Sequence, residues 1–148
     1  MHSLILKKKK VEDLMTTNVL TIPLDSTFAE VMRLFGEFPF HHLPVVLPNN
    51  RIVGVISTND ILNTITKHMS LLKDLSDDTL NEKFEIVEVM TSFPHTVTKD
   101  TPVEEVLRKC AKYEIHSLPV VKDGVLEGII TTNDILEEWK VEEADDSC

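Results

Sequence analysis

The sequence predicts a mixed α+β (α/β) fold made of two tandem β-α-β-β-α repeats packed about a pseudo-twofold axis. Three observations predict it. The stretch Gly54-Val55-Ile56-Ser57-Thr58-Asn59-Asp60-Ile61-Leu62 returns as Gly128-Ile129-Ile130-Thr131-Thr132-Asn133-Asp134-Ile135-Leu136, with seven of nine positions identical. Further matches flank it in the same order: Met15-Thr16 recurs as Met90-Thr91, Thr21 as Thr96, Asp25 as Asp100, and His41-His42-Leu43-Pro44-Val45-Val46 as His116-Ser117-Leu118-Pro119-Val120-Val121. Within each copy, short β-branched runs alternate with apolar stripes of helical period. Two copies are too few for a repeat array. A unit of about 60 residues buries too small a fraction of its surface to stand alone, so the two copies are expected to pack together.

Taken in order, residues 19–22 and 96–98 read as the first strand of each copy. Asp25-Ser26 and Asp100-Thr101-Pro102 then supply capping chemistry for a helix. In that helix Phe28, Val31, Met32 and Phe35 stand at i, i+3, i+4 and i+7, and Val103, Val106, Leu107 and Cys110 repeat the spacing. Cys110 takes the place of Phe35, which makes it a small core thiol. Leu43-Pro44-Val45-Val46-Leu47 and Leu118-Pro119-Val120-Val121-Lys122 predict the second strand, and 52–56 and 125–130 the third. Pro48-Asn49-Asn50 and Lys122-Asp123-Gly124 are the turns between them. A second helix carries Ile61, Leu62, Ile65 and Met69 in one copy, and Ile135, Leu136 and Trp139 in the other. Residues 67–85, with Asp74, Asp77, Asp78 and Glu82, read as a helix extension and an acidic linker. The domain boundaries are therefore 11–70 and 85–140, with a linker at 71–84 and tails at 1–10 and 141–148.

Bulk properties exclude several function classes. The 148 residues are 42% hydrophobic and 27% charged, the balance of a globular chain. A formal net charge of −10 argues against gripping a nucleic-acid backbone, and the one basic run, Lys7 to Lys10, sits at a terminus and reads as a solvated tail. Cys110 and Cys148 make no disulfide framework and no metal-ligand spacing, which suits a reducing cytoplasm. The N-terminus runs apolar then basic, the reverse of a signal peptide, and no stretch reaches the length of a membrane span.

Chemistry concentrates at the repeated Ser/Thr-Thr-Asn-Asp turns. One reading is structural: these residue types are ordinary helix caps. The other follows from their place at the carboxyl end of a buried strand, where ligands of α/β sheets lie. A carboxylate there repels a phosphate but accepts two hydrogen bonds from a vicinal diol, while Ser57 or Thr131 and the helix N–H groups suit the phosphate. Diol plus phosphate is a nucleotide. Both readings hold together if Thr58 or Asn59 caps the helix and Asp60 faces the ribose. The histidines His41, His42, His68, His95 and His116 lack partners at metal-ligand spacing, so no metal site is expected. No nucleophile elbow, Walker loop or paired-carboxylate motif appears, so no catalytic residue and no enzymatic activity are assigned.

On Met15-Thr16 and Met90-Thr91, the two Leu-Pro-Val-Val runs, and 54–60 with 128–134, the chain resembles a tandem pair of CBS domains, the regulatory module named after cystathionine β-synthase. The resemblance covers about residues 11–70 and 85–140. It implies a Bateman module: a disk with two clefts between the CBS repeats that bind AMP, ADP or ATP, in some members S-adenosylmethionine, and that often dimerises. It also implies residue roles. Asp60 and Asp134 match the ribose-holding Asp, and Ser57 and Thr131 the phosphate-facing hydroxyl. One site would join Thr16, Asn18, Leu20, His41 and His42 with Thr131 and Asp134; the other would join Thr91, His95, His116 and Ser117 with Ser57 and Asp60. Asn18-Val19-Leu20 differs from Phe93-Pro94-His95, so the two sites need not share a ligand. The expectation is a free-standing sensor with no required cofactor, homodimeric, with Trp139 either a dimer contact or packed within its own chain, that signals nucleotide occupancy to a regulated partner protein. The rival readings are a non-binding dimerisation scaffold and a nucleic-acid-associated regulator.

Overall fold

The Met-Thr pair of each sequence repeat folds into the unit built around the other repeat's Gly-to-Asp stretch. In the computed structural model, which describes residues 8–146 and the side chains of 8–140, one unit spans Leu20–Pro94 and the other joins Met1–Val19 to His95–Cys148. They are called here the Asp60 unit and the Asp134 unit. Lys7 of the basic run, Cys148, and the ends of both expected tails lie outside the described residues.

In chain order the elements are α1 (Val11–Leu14), β1 (Ile22–Pro23), α2 (Phe28–Glu37), β2 (His42–Val46), β3 (Ile52–Ser57), α3 (Thr58–His68), a 3-10 turn (Met69–Leu71), α4 (Asp77–Lys83), α5 (Ile86–Val89), β4 (Thr91–Ser92), α6 (Val103–Tyr113), β5 (Ser117–Lys122), β6 (Val125–Thr131) and α7 (Thr132–Asp146). The fold is mixed α and β. No described helix is long and apolar enough to cross a membrane.

In the Asp60 unit the sheet order is β1-β2-β3-β4. β1 runs parallel to β2 (Ile22 opposite Val45), β2 antiparallel to β3 (Leu43 opposite Ile56), and β3 antiparallel to β4 (Val55 opposite Thr91). The core gathers Ile22, Phe28, Val31, Leu43, Val45 and Ile56 with Leu80, Phe84 and Ile86. In the Asp134 unit β5 and β6 pair antiparallel (Leu118 opposite Ile130). Val97 makes a parallel bridge to Val120, and Thr16 an antiparallel bridge to Ile129. Val11, Val97, Val103, Val106, Leu118, Val120 and Ile130 form the core. Both units carry a bulge at the same place, Val45/Val46 and Val120/Val121, so the duplication extends to an irregularity of the backbone.

Several local expectations shift. The first strand of the Asp60 unit starts at Ile22 rather than at residue 19, and 96–98 makes one bridge rather than a strand. α2 is capped by Thr27, not by Asp25-Ser26: Thr27 accepts from the Glu30 N–H at 3.2 Å and Glu30 returns the bond, a capping box that needs a Glu three residues on. At α6 the N-cap position is Pro102, and the Thr101 hydroxyl turns instead to the Thr98 N–H. The acidic stretch is not a bare linker. Ser76 caps α4, and Leu80 and Phe84, one helical turn apart, are buried in the Asp60 core, with the Phe84 ring 5.1 Å from that of Phe28. The acidic residues mask that signal in the sequence because they form the solvated face of the same helix.

Candidate functional site

Each repeated turn begins where a strand leaves the core. Ile56 and Ile130 are fully buried, which pins the ends of β3 and β6 and sets the next residue at the N-cap of α3 or α7. At the first turn the Ser57 hydroxyl accepts from the Asp60 N–H at 3.1 Å, and the Asp60 Oδ2 accepts from the Ser57 N–H at 2.8 Å. At the second, Thr131 and Asp134 repeat the pair at 3.1 and 2.9 Å. The Thr58 N–H donates to the His41 carbonyl at 3.0 Å, and the Thr132 N–H to that of His116 at 2.9 Å. The residue two before Leu-Pro thus closes the first turn of the helix through its backbone.

This corrects the expectation that Thr58 or Asn59 caps α3 while Asp60 is left to a ligand. Ser57 and Asp60 are themselves the cap. The two roles are nonetheless compatible atom by atom. A carboxylate has two oxygens, and among the described residues only Oδ2 takes a hydrogen bond; a hydroxyl that accepts a cap bond retains its own O–H to donate. All four side chains are half-buried, which holds them without closing them off.

The candidates divide between the units by chain position. Leu20, His41, His42, Ser57, Asp60 and Thr91 belong to the Asp60 unit; Thr16, Asn18, His95, His116, Ser117, Thr131 and Asp134 belong to the Asp134 unit. Within the first, His42 stands opposite Ser57 in the β2–β3 ladder, and Thr91 stands opposite Val55, two residues before Ser57. Within the second, Ser117 stands opposite Thr131, and Thr16 opposite Ile129. The Met-Thr segments therefore reach the Asp-bearing turn of the other sequence repeat.

The remaining histidines have local partners. His95 stacks on Tyr113 with ring centroids 3.7 Å apart, and the Lys112 ammonium lies 5.2 Å from the same Tyr ring. His68, outside the candidate set, bonds through Nδ1 to the Thr64 carbonyl at 2.8 Å and packs edge-on against Phe84. Among the described residues no three His, Cys, Asp or Glu side chains gather as a metal site. Cys110 is half-buried and packs against the Asp134 core instead of lying within it, and burial pushes its thiol up from the ordinary value. An open groove of about 870 Å³, which the sequence did not foreshadow, runs along α3 from Asp60 to His68, walled by Lys67, Lys83, Phe84 and Glu88.

The geometry defines a duplicated strand–cap–helix unit with a hydroxyl and a carboxylate at each helix start. The family model described as CBS domain matches residues 11–67 and 86–140, and the chain belongs to that family. Among solved structures it is similar to the protein AcuB of Vibrio cholerae, with 27% identity, 95% of this chain and 97% of that one covered, and a TM-score of 0.75. It is also similar to CBSX2 in complex with AMP (25% identity, 90% and 98% covered, TM-score 0.74). The CBS domain pair of protein MJ0100, in complex with 5-methylthioadenosine and S-adenosyl-L-methionine, matches at 28% identity over 87% and 98% of the two chains, with a TM-score of 0.72. A homoserine O-acetyltransferase of Methanobrevibacter ruminantium is 34% identical over 88% of this chain, and an inosine-5'-monophosphate dehydrogenase of Aquifex aeolicus 29% identical over 90%. The chain spans about a quarter of the length of each of these two relatives.

Proposed function

We propose that this chain is a regulatory module, not an enzyme, that binds an adenosine-containing ligand at its repeated Ser/Thr-to-Asp turns. The observation that carries the reading is the duplicated cap in which the Asp keeps one carboxylate oxygen, and the Ser or Thr its hydroxyl proton, for a further partner. A ribose diol suits the first and a phosphate the second. The CBS pairs crystallised with AMP and with S-adenosylmethionine show the ligand class that related chains take and supply AMP and S-adenosylmethionine as candidates; ADP and ATP join them on the family resemblance alone. Thr91, opposite Val55 on the strand that leads to the Asp60 turn, and Thr16, bridged to Ile129 before the Asp134 turn, are assigned to the base side. Asn18, Leu20, His41, His42, His95, His116 and Ser117 are proposed as contacts on the family pattern alone.

Occupancy would act by binding two conformations unequally, since a ligand shifts only an equilibrium to which it contributes differently. The receiver is a second copy or a regulated partner protein in the cytoplasm. Leu62 and Leu136, equivalent in the two repeats, are 60% and 61% exposed, and Trp139 is partly exposed beside the latter on α7; they mark the faces proposed for self-association. Isothermal titration of the wild-type chain against AMP, ATP and S-adenosylmethionine tests the reading, and silence toward all three would sink it.

One observation favours a scaffold without ligand: the polar groups of each turn already serve its cap. Thermal shift separates the two readings. A binder at 100 times its dissociation constant gains about 2.7 kcal/mol of stability, and a scaffold gains none.

A further inference from the structure

The groove along α3 is not explained by the duplicated turns. Among the residues that line it, only Asp60 belongs to the nucleotide candidates. The rest come from the body of α3 and from the segment that returns beside it. The Phe84 ring packs edge-on against His68, with ring centroids 5.2 Å apart. From Phe84 the chain runs back along α3 through α5 and enters β4, where Thr91 stands opposite Val55. The groove between α3 and this segment therefore has two unlike ends. Lys67 and His68 from α3 and Lys83 from the end of α4 gather at one. Asp60 lies at the other, eight residues back along the helix or ~12 Å at its rise, with Glu88 on the returning segment between them.

The basic end is prepared for a partner that the chain does not itself supply. The sequence holds 25 acidic residues against 15 Lys and Arg. Even so, among the described residues neither Lys67 nor Lys83 has a carboxylate within ion-pair distance, whereas Lys9, Arg33 and Arg108 each have one. His68 is oriented by its own helix: the Thr64 carbonyl, 2.8 Å from Nδ1, can only accept, so the proton sits on Nδ1. Nε2 then accepts from a protonated ligand oxygen or, in the imidazolium, donates to an ionised one. Phe84 and Val89 give the groove an apolar side, and its volume of about 870 Å³ is that of a small-molecule site. A lysine in a last helical turn also favours the helix dipole. That accounts for each lysine on its own helix, but not for their meeting with His68 in one groove. Nor does the duplication account for it, because Val141 and Glu142 stand at the positions equivalent to Lys67 and His68.

We propose that the α3 groove is a binding site for a small dianion, held by Lys67, Lys83 and His68 and separate from the repeated turns. Two ammonium groups match two negative charges, and the carboxylates of Asp60 and Glu88 confine the ligand to the basic end. A phosphate and a dicarboxylate share this chemistry. The site does not depend on the nucleotide reading.

NMR titration of the full chain with inorganic phosphate and with malonate tests it. Saturable shifts at the amides of Lys67, His68 and Lys83 are expected, weakening as potassium chloride is raised because exposed charges are screened. Saturable binding of either anion supports the site, and the tighter of the two names its source. The double variant Lys67→Glu, Lys83→Glu is expected to lose roughly 100-fold or more in affinity, about tenfold for each hydrogen bond to a charged group. Lys67→Arg with Lys83→Arg retains binding. The absence of a saturable shift with both anions overturns the proposal and leaves the lysines to their helix dipoles. Shifts centred on 57–60 or 131–134 also overturn it, since they place the anion at the turns and speak for the nucleotide reading instead. So does an affinity unchanged by reversing both charges.

Discussion

Gly128 lies against the backbone of Thr16 so closely that a Cβ built on it would stand 2.6 Å from the Thr16 carbonyl oxygen. Gly54 occupies the equivalent place against Met90, where the nearest neighbour is the flexible thioether side chain. The glycine that opens each repeated stretch thus makes room for the Met-Thr pair of the other repeat. Neither glycine has a positive φ. The requirement is close approach, not backbone freedom.

Adding a methyl group at the two glycines should therefore cost different amounts. Gly128→Ala must displace a strand-paired backbone and is expected to destabilise by about 1–3 kcal/mol. Gly54→Ala meets a side chain that swings aside and should cost less, because methionine adapts readily. Urea denaturation of both variants checks the order, and a Gly128→Ala chain as stable as wild type contradicts it.

The dual role of the cap separates stability from binding. Asp134→Asn keeps an oxygen that can accept the Thr131 N–H, so its melting temperature should stay near wild type while affinity for AMP falls at one of two sites. Thr131→Ala removes the hydroxyl that accepts the Asp134 N–H and is expected to cost about 1 kcal/mol of stability without any ligand present. Calorimetry on the free chains, followed by titration, reads both effects.

If α4 were a linker, its apolar residues would be dispensable. Leu80 is 1% exposed in the Asp60 core, and Leu80→Ala is expected to destabilise by about 2–5 kcal/mol. Leu75, in the same stretch and 54% exposed, should change stability by less than about 0.5 kcal/mol when replaced by Ala. Equal effects at the two positions would contradict this placement.

The approach to α4 also has a pH signature. Hydrogen bonds from the Ser76 hydroxyl, from Thr79 and from the Ser76 N–H hold the Asp74 carboxyl down at about 2, against an ordinary 3.8. A depressed carboxylate contributes stability that is present above the ordinary value and lost as pH falls toward 2. An NMR titration of Asp74 should show a midpoint near 2 in wild type that moves up toward 3.8 in Ser76→Ala. An unmoved midpoint in the variant would refute the assignment.

What the sequence by itself determined is everything written in local period and in repetition: the duplicated unit, the buried stripes of α2 and α6, the two Leu-Pro-Val-Val strands, and the Ser/Thr-to-Asp turns at strand ends. These are short-range properties, legible because each follows from alternation, helical spacing or turn chemistry within a few residues. Tertiary structure decided which partners those pieces meet. That Met15-Thr16 joins the unit of Gly128 and Asp134, and that Leu80 turns inward from an acidic stretch, depend on residues distant in the chain. So does the basic end of the α3 groove, whose lysines were plain in the sequence but meet only once the Phe84 ring packs on His68 and brings the end of α4 to the end of α3.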